Sequence, residues 1–426
     1  MASSPRPSWP ALLGVAAASG LATTFLVRNF FPSHKKIRHR IRSEYSVADD
    51  TFERVMSQLM GPPLIGGNRI TILENGDEFF PAMLDAIRSA EHTVTFENFL
   101  WHEGRIARAF AGALAERARA GLDVHVLQDR FGCVGLHRTA MRTLRHSPAE
   151  VEIFRAHWSS RLNFRTHRKL LIVDGKVGFI GGACIADEWM GDGLTRGHWR
   201  DTHYRVEGPV VAQMQSAFLD NWMQTRAQVL HGEKFFPPLE EKGPLKCQTF
   251  MSSVGEGADS ARLMFLLSMA AARKRLCIAS AFFLPDDLMV RTLIEARERG
   301  VEVDVIAPGA DNDAPLVRLA GRSRWKPLLQ AGVRLWEYQP ARFHSKYLIV
   351  DDCWCSVGST NLDHRSLRLN EEANLNILDP TFAAEHTRIF ERDLSHSHLI
   401  TWDEWKKRPL PEKITGHVAA LGRLQM

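Results

Sequence analysis

His167-Arg168-Lys169-Leu170-Leu171-Ile172-Val173-Asp174-Gly175-Lys176-Val177-Gly178-Phe179-Ile180-Gly181-Gly182 has a second version, 177 residues further on. It reads His344-Ser345-Lys346-Tyr347-Leu348-Ile349-Val350-Asp351-Asp352-Cys353-Trp354-Cys355-Ser356-Val357-Gly358-Ser359. In both copies Lys stands at +2 from His, Asp at +7 and Gly at +14. One His-x-Lys-x4-Asp arises by chance in roughly three of a hundred chains of this composition. A second copy with matched flanks therefore marks an internal repeat, which decides the fold before any local propensity does.

Working outward, residues 93–101 precede an Ala/Leu/Arg-rich helical stretch, Gly121 and the apolar run Val124–Leu127. Residues 275–284 precede Leu293–Arg299, Gly300 and Val301–Ile306. Strand, helix ended by Gly, and second strand make a βαβ unit, so each copy of the motif follows such a unit. The fold class is α/β: two homologous domains, each a mixed, largely parallel sheet flanked by helices, with the active site at their interface. The expected divisions are 1–64 (an apolar helix and basic linker), 65–242, 243–400, and a tail at 401–426.

Within each motif the apolar runs Lys169–Val173 and Tyr347–Val350 read as strands, bounded by the turn signals Asp174-Gly175 and Asp351-Asp352. Side chains alternate along a strand, so His and Lys at i and i+2 share one face. Asp at +7 has the opposite parity, which makes Asp174 and Asp351 structural on this reading. A His beside a Lys supplies a nitrogen able to attack and a cation to hold an anion. Phosphodiester exchange needs a nucleophile and also an acid for the leaving oxygen, and two facing half-sites supply both. The lysines would neutralise the non-bridging phosphoryl oxygens. This arrangement calls for no metal or other cofactor, and the sequence has no CxxC, HExxH or Asp/Glu-rich ligand cluster.

The doubled HxKx4D, with Gly358-Ser359-Thr360-Asn361, resembles the phospholipase D superfamily. Asn75-Gly76-Asp77, Thr166–Gly182, the stretch from Trp199-Arg200-Asp201 to Gly208-Pro209, and Gly358–Asn376 resemble bacterial cardiolipin synthases, the B-type enzyme most. The resemblance covers roughly residues 68–410. It implies a catalytic set of His167, Lys169, Asp174, His344, Lys346 and Asp351, with His167 as nucleophile and His344 as general acid and then base. It implies phosphate binding by Lys169, Lys346 and Asn361, with Ser359 near the phosphate, and orientation of the two histidines by Asp201 and Glu372. One position departs from the family pattern: where an Asn matching Asn361 is usual in the first copy, this chain has Cys184, a weaker hydrogen-bond donor.

The implied activity is phosphatidyl transfer: phosphatidylglycerol donates to a second phospholipid, through a phosphatidyl-histidine, to give cardiolipin and glycerol. Hydrolysis by a phospholipase D or a nuclease uses the same chemistry, and a non-catalytic membrane scaffold is the alternative that Cys184 encourages. The net charge of +5, from 54 Lys and Arg against 49 Asp and Glu, gives no general nucleic-acid footprint. Residues 7–27 are uncharged, and Lys or Arg follow at 28, 35, 36, 38, 40 and 42 before Glu44. This reads as a membrane anchor with the catalytic body on the cytoplasmic side of a bacterial inner membrane, or else as a cleaved signal. Trp402–Met426 mixes Trp, Lys and apolar residues in a helical pattern that suits either a membrane interface or a packed surface helix. The six cysteines lack paired spacing and read as reduced.

Overall fold

The computed structural model describes residues 9–30, 39–132, 138–154, 163–253 and 259–426, without the side chains of residues 11, 12, 28–30 and 138. In chain order the strands of the first half are β1 (Ile65–Glu74), β2 (Thr93–Asn98), β3 (Asp123–Asp129), β4 (Glu150–Phe154), β5 (Arg165–Thr166), β6 (Leu170–Val173), β7 (Val177–Gly181), β8 (Trp199–Arg200) and β9 (Thr202–Glu207). Those of the second half are β10 (Leu245–Ser252), β11 (Arg275–Ala279), β12 (Glu302–Pro308), β13 (Arg334–Tyr338), β14 (Arg342–Phe343), β15 (Tyr347–Val350), β16 (Trp354–Gly358), β17 (Asn370–Leu378) and β18 (Ser397–Leu399).

From the centre outward the first half runs β1-β9-β7-β6-β2-β3-β4, and the second runs β10-β17-β16-β15-β11-β12-β13, closed by β18. The order is the same, and antiparallel pairing of β1 with β10 joins the halves into one sheet. Within each half's main sheet path, parallel pairing falls in the βαβ units, β2-β3-β4 and β11-β12-β13. The inner strands are antiparallel, which makes each sheet mixed. The reason lies in the motif itself, whose tight turns fold each HxK strand back as a hairpin. Asp174 and Gly175 (φ +52° and +62°) and Asp351 and Asp352 (φ +53° and +49°) adopt the left-handed turn conformation that matches hairpin twist.

The crossover helices are amphipathic. In Arg105–Arg119, Ile106, Phe110 and Leu114 recur every fourth residue and are buried. That helix and Asp287–Glu298 are followed by Gly121 and Gly300 at positive φ, where a side chain would be strained. One buried cluster runs through both halves, from Leu170, Ile172 and Trp222 to Tyr347, Ile349 and Phe390. The halves thus share a core, which fixes their relative position at the site.

The segment before residue 64 is not all linker. Helix Asp50–Leu59 buries Phe52 and Met56 in the second half, with Phe52 edge-on to Trp354 at 4.9 Å. The stretch after residue 400 forms helices Trp402–Lys406 and Leu410–Leu421. Residues Trp9–Phe30 form a helix that exposes Leu13, Leu21 and Val27. Among the described residues no helix is long and apolar enough to cross a membrane. Much of the basic run, at 35, 36 and 38, falls outside the described residues.

Candidate active site

Leu170–Val173 and Tyr347–Val350 are buried on both faces, which anchors the HxK ends of β6 and β15 where the halves meet. Just before each motif, a two-residue strand crosses to the opposite half. β5 pairs in parallel with Asn370 and Glu371 of β17, and β14 pairs in parallel with β8. The backbone N–H of His167 donates to Glu371 O, and that of His344 donates to Arg200 O, each at 2.8 Å. Each histidine is therefore held by the half it does not belong to.

The side chains cross in the same way. His167 Nδ1 lies 2.9 Å from Glu372 Oε2, and His344 Nδ1 lies 2.7 Å from Asp201 Oδ2. A carboxylate only accepts, so Nδ1 carries the proton in each ring and Nε2 keeps its lone pair for chemistry. The carboxylates are themselves held. Trp189 Nε1 donates to Asp201 Oδ2 at 2.9 Å, and the Thr202 N–H donates to Oδ1 at 2.8 Å. The Ser359 hydroxyl donates to Glu372 Oε2 and accepts from the Ala373 N–H. Ser359, which the resemblance sets near the phosphate, thus holds Glu372 in place.

Position 182 corresponds to Ser359 and is glycine. A Cβ there would come within 2.5 Å of Asp201 Oδ1, so the first half needs the bare backbone to admit its carboxylate. Aromatic rings complete the walls. Phe99 lies edge-on to His167 at 5.3 Å, while Trp189 and Trp199 flank His344 at 5.1 and 5.2 Å.

Both lysines are buried, and each Nζ donates to the carbonyl of its own motif histidine, at 2.7 Å for Lys169. Burial pushes their pKa values down, that of Lys346 to about 8, with nearby Asp201 opposing the shift. Burial also holds His167 neutral, at about 4, against the pull of Glu372. His344 is lowered by burial and then by Lys346. Burial resists ionisation of Asp201 and Glu372, but the adjacent His344 and His167 outweigh it and hold both carboxyls below the usual range. Lys346 acts on His167, and Lys169 acts on Lys346, so both half-sites share one electrostatic centre.

Asp174 and Asp351 stand apart from it. Asp174 accepts the N–H groups of Glu91, His92 and Thr93 at 2.7–2.9 Å, and Asp351 accepts those of Arg273, Lys274 and Arg275 over the same range. Each locks a hairpin turn to the start of the neighbouring strand, on the order of 15 Å along the strand from its lysine. The structure thus places the two aspartates away from the His and Lys side chains with which the motif counts them.

Asn361 Oδ1 accepts the N–H of Phe282 at 3.3 Å, which keeps its amide N–H2 group as a donor. Cys184 takes the equivalent place in the first half, buried against the backbone of Leu100 and beside Lys169, with its thiol pKa raised by burial.

Two arginines escaped the sequence reading. Arg168 turns to the opposite side of its strand from His167 and Lys169, and pins Ala217 O, Asp220 and, across the interface, Glu371. Arg200 makes a buried two-point contact with Asp393 at 2.8 and 3.0 Å and reaches Glu74 at 2.9 Å. Parity alone could have flagged Arg168, whereas the partner of Arg200 lies 193 residues away. Among the described residues, no group of three or more His, Cys, Asp or Glu side chains is placed to hold a metal ion.

Comparison with known proteins agrees with this geometry. A family described as "Cardiolipin synthase, PLD-like domain" matches residues 266–394. Cardiolipin synthase A of Pseudomonas fluorescens is 34% identical over 378 residues, covering 86% of this chain and 77% of the relative. Cardiolipin synthase A of Pseudomonas putida is 34% identical over 361 residues, covering 82% and 74%. Both carry the A designation, whereas the local stretches resemble the B-type enzyme. Among solved structures, phosphatidylserine synthase of Haemophilus influenzae has a TM-score of 0.67 at 16% identity, covering 88% of this chain and 99% of that one. Polyphosphate kinase of Porphyromonas gingivalis has a TM-score of 0.54 at 12% identity, covering 93% and 58%. These two establish likeness of fold, and the identity to the first two establishes the family: the chain belongs to the cardiolipin synthases, built on a doubled phospholipase D-like fold.

Proposed function

We propose that the protein is a phosphatidyltransferase that makes cardiolipin from two phosphatidylglycerol molecules. His167 Nε2 attacks the phosphorus of the first. The bond from phosphorus to the head-group glycerol oxygen breaks, and His344 gives that oxygen a proton, so glycerol leaves. His344, now neutral, takes the proton of a hydroxyl on the second lipid. That oxygen attacks the phosphatidyl-histidine, the P–N bond breaks, and His167 is restored. One phosphodiester replaces another, so no nucleotide is consumed. Lys169, Lys346 and the Asn361 amide neutralise the equatorial oxygens as charge develops.

The observation that carries this reading is the crossed pairing of His167 with Glu372 and of His344 with Asp201. It gives two imidazoles the same tautomer in one water-poor centre, each stabilised as it takes on charge. We place the enzyme at a bacterial inner membrane, with its catalytic body in the cytoplasm. The exposed apolar residues of helix Trp9–Phe30 and the basic residues after it support that placement.

The test is the product. Phosphatidylglycerol in detergent micelles should yield free glycerol and a doubly acylated diphosphate lipid. Phosphatidic acid as the sole lipid product would make the protein a hydrolase, and cleavage of single-stranded DNA in place of lipid would make it a nuclease. With lipid labelled at phosphorus, the unsubstituted chain should carry label on His167 after a denaturing alkaline quench, which preserves a P–N bond. His167→Ala should retain none.

A further inference from the structure

The helix Leu410–Leu421 exposes Leu410, Ile414, Val418 and Leu421 at 55–84% of their surface. Their spacing of four, four and three residues places them in one stripe along the helix. The opposite face is committed. Gly416 is buried against helix Pro315–Ser323, where a Cβ would come 2.7 Å from Leu319 O. The helix cannot roll to hide its apolar stripe, which remains a contiguous exposed patch of the kind that marks an interaction surface.

Two features identify what covers it. Lys406 and Lys407 are exposed at the head of the helix, next to the stacked pair Trp402 and Trp405, whose ring centroids are 5.4 Å apart. Aliphatic stripe, indole rings and lysines in one short segment match the layering of a bilayer surface, from acyl boundary to anionic headgroup. The segment after the helix is also tied to chain that flanks the active-site residues in sequence. Arg365 donates its backbone N–H to Met426 O and its Nε–H to Gln425 O, at 2.8 and 3.0 Å. The same guanidinium donates to Asn163 O and Oδ1, at 3.1 and 2.8 Å. Asn163 lies four residues before His167, and Arg365 lies four after Asn361. This clasp ties the helix to the chain entering one half-site and to the chain leaving the other.

We propose that Leu410–Leu421 is a lipid-docking helix that seats on a bilayer bearing anionic headgroups and holds the active-site mouth against it. The proposal rests on the phospholipid-substrate reading above but is tested apart from it. Hydrogen–deuterium exchange of the full chain, with and without vesicles of phosphatidylcholine and phosphatidylglycerol in equal parts, should show amides 410–424 slowed about tenfold by vesicles. The double variant Ile414→Glu/Val418→Glu changes only exposed side chains. It should lose that slowing, and its turnover of vesicle lipid should fall about tenfold while its turnover in micelles is unchanged. Unchanged exchange at 410–424 in protein that floats with the vesicles would overturn the proposal. So would slowing that grows with protein concentration without lipid, because the occupant would then be a second copy. Loss of micelle turnover in the parent chain would instead count against the proposed reaction and leave the docking result standing.

Discussion

Glu372 of the second half lies 2.9 Å from Nδ1 of His167 in the first, and Asp201 of the first half serves His344 of the second. Neither motif orients its own histidine. The exchange makes the duplication necessary to the chemistry, because a lone half would bring a ring without its carboxylate. Glu372→Gln and Asp201→Asn keep shape and burial but allow the amide to donate to the ring, which favours the wrong tautomer. Each should lower kcat for glycerol release by on the order of 10³–10⁴, with the fold intact by circular dichroism. A loss under tenfold in either variant would remove the orienting role from that residue.

The histidine environments set the pH dependence. His167 attacks as the neutral ring, and burial keeps it neutral above about pH 4, so the acid limb of kcat/KM should lie near there. His344 must carry a proton for the leaving glycerol, yet burial and Lys346 depress its pKa in the free enzyme. A bound phosphodiester anion favours the protonated ring and raises that pKa. The basic limb of kcat should therefore lie at higher pH than that of kcat/KM. Coincident basic limbs would mean that His344 is not the group facing the substrate anion.

Strand alternation made the half-sites readable. His and Lys two residues apart must share a face, and Asp at +7 must leave it, as Asp174 and Asp351 do. The βαβ units and the repeated strand order also follow from local apolar runs and glycine stops. The crossed carboxylates were legible only by resemblance, since two-residue pairings between distant segments bring them to the rings and such pairings leave no period in the sequence. Trp189 and Trp199 come from an irregular stretch where no periodicity tells which way a side chain points. The bond from Ser359 to Glu372 left no sign in the sequence, because the two residues become adjacent only through strand pairing.

Cys184 and Asn361 occupy equivalent places, so exchanging them asks what the asymmetry does. Asn361→Cys removes an amide donor from the phosphate, and a hydrogen bond to a charged group is worth about 1.5–3 kcal/mol. Its kcat/KM should fall about 10- to 100-fold. Cys184→Asn supplies the missing donor beside Lys169 and should hold or raise kcat/KM, by up to about tenfold. Steady-state rates of the two variants on micellar phosphatidylglycerol decide it. A loss above tenfold in Cys184→Asn would assign the thiol a role of its own.

Glu97 offers a test of the buried network beneath the first half-site. Its Oε1 accepts from Thr166 Oγ1 and Asn221 Nδ2, while burial raises its pKa to about 7 despite Arg168 close by. In the unfolded chain the same carboxyl titrates near 4.3. Between those values the folded state binds a proton that the unfolded state does not, so the contribution of Glu97 to stability falls as pH rises from about 4.3 through 7. Glu97→Gln keeps the acceptor oxygen and removes the titration. The stability of the variant relative to the parent should increase with pH, by at most about 3 kcal/mol between pH 4.3 and 8. Urea midpoints of both proteins at pH 5 and pH 8 measure it. A difference that stays flat, or shrinks as pH rises, would mean that Arg168 keeps Glu97 ionised throughout and that the pair is a permanent buried ion pair beneath His167.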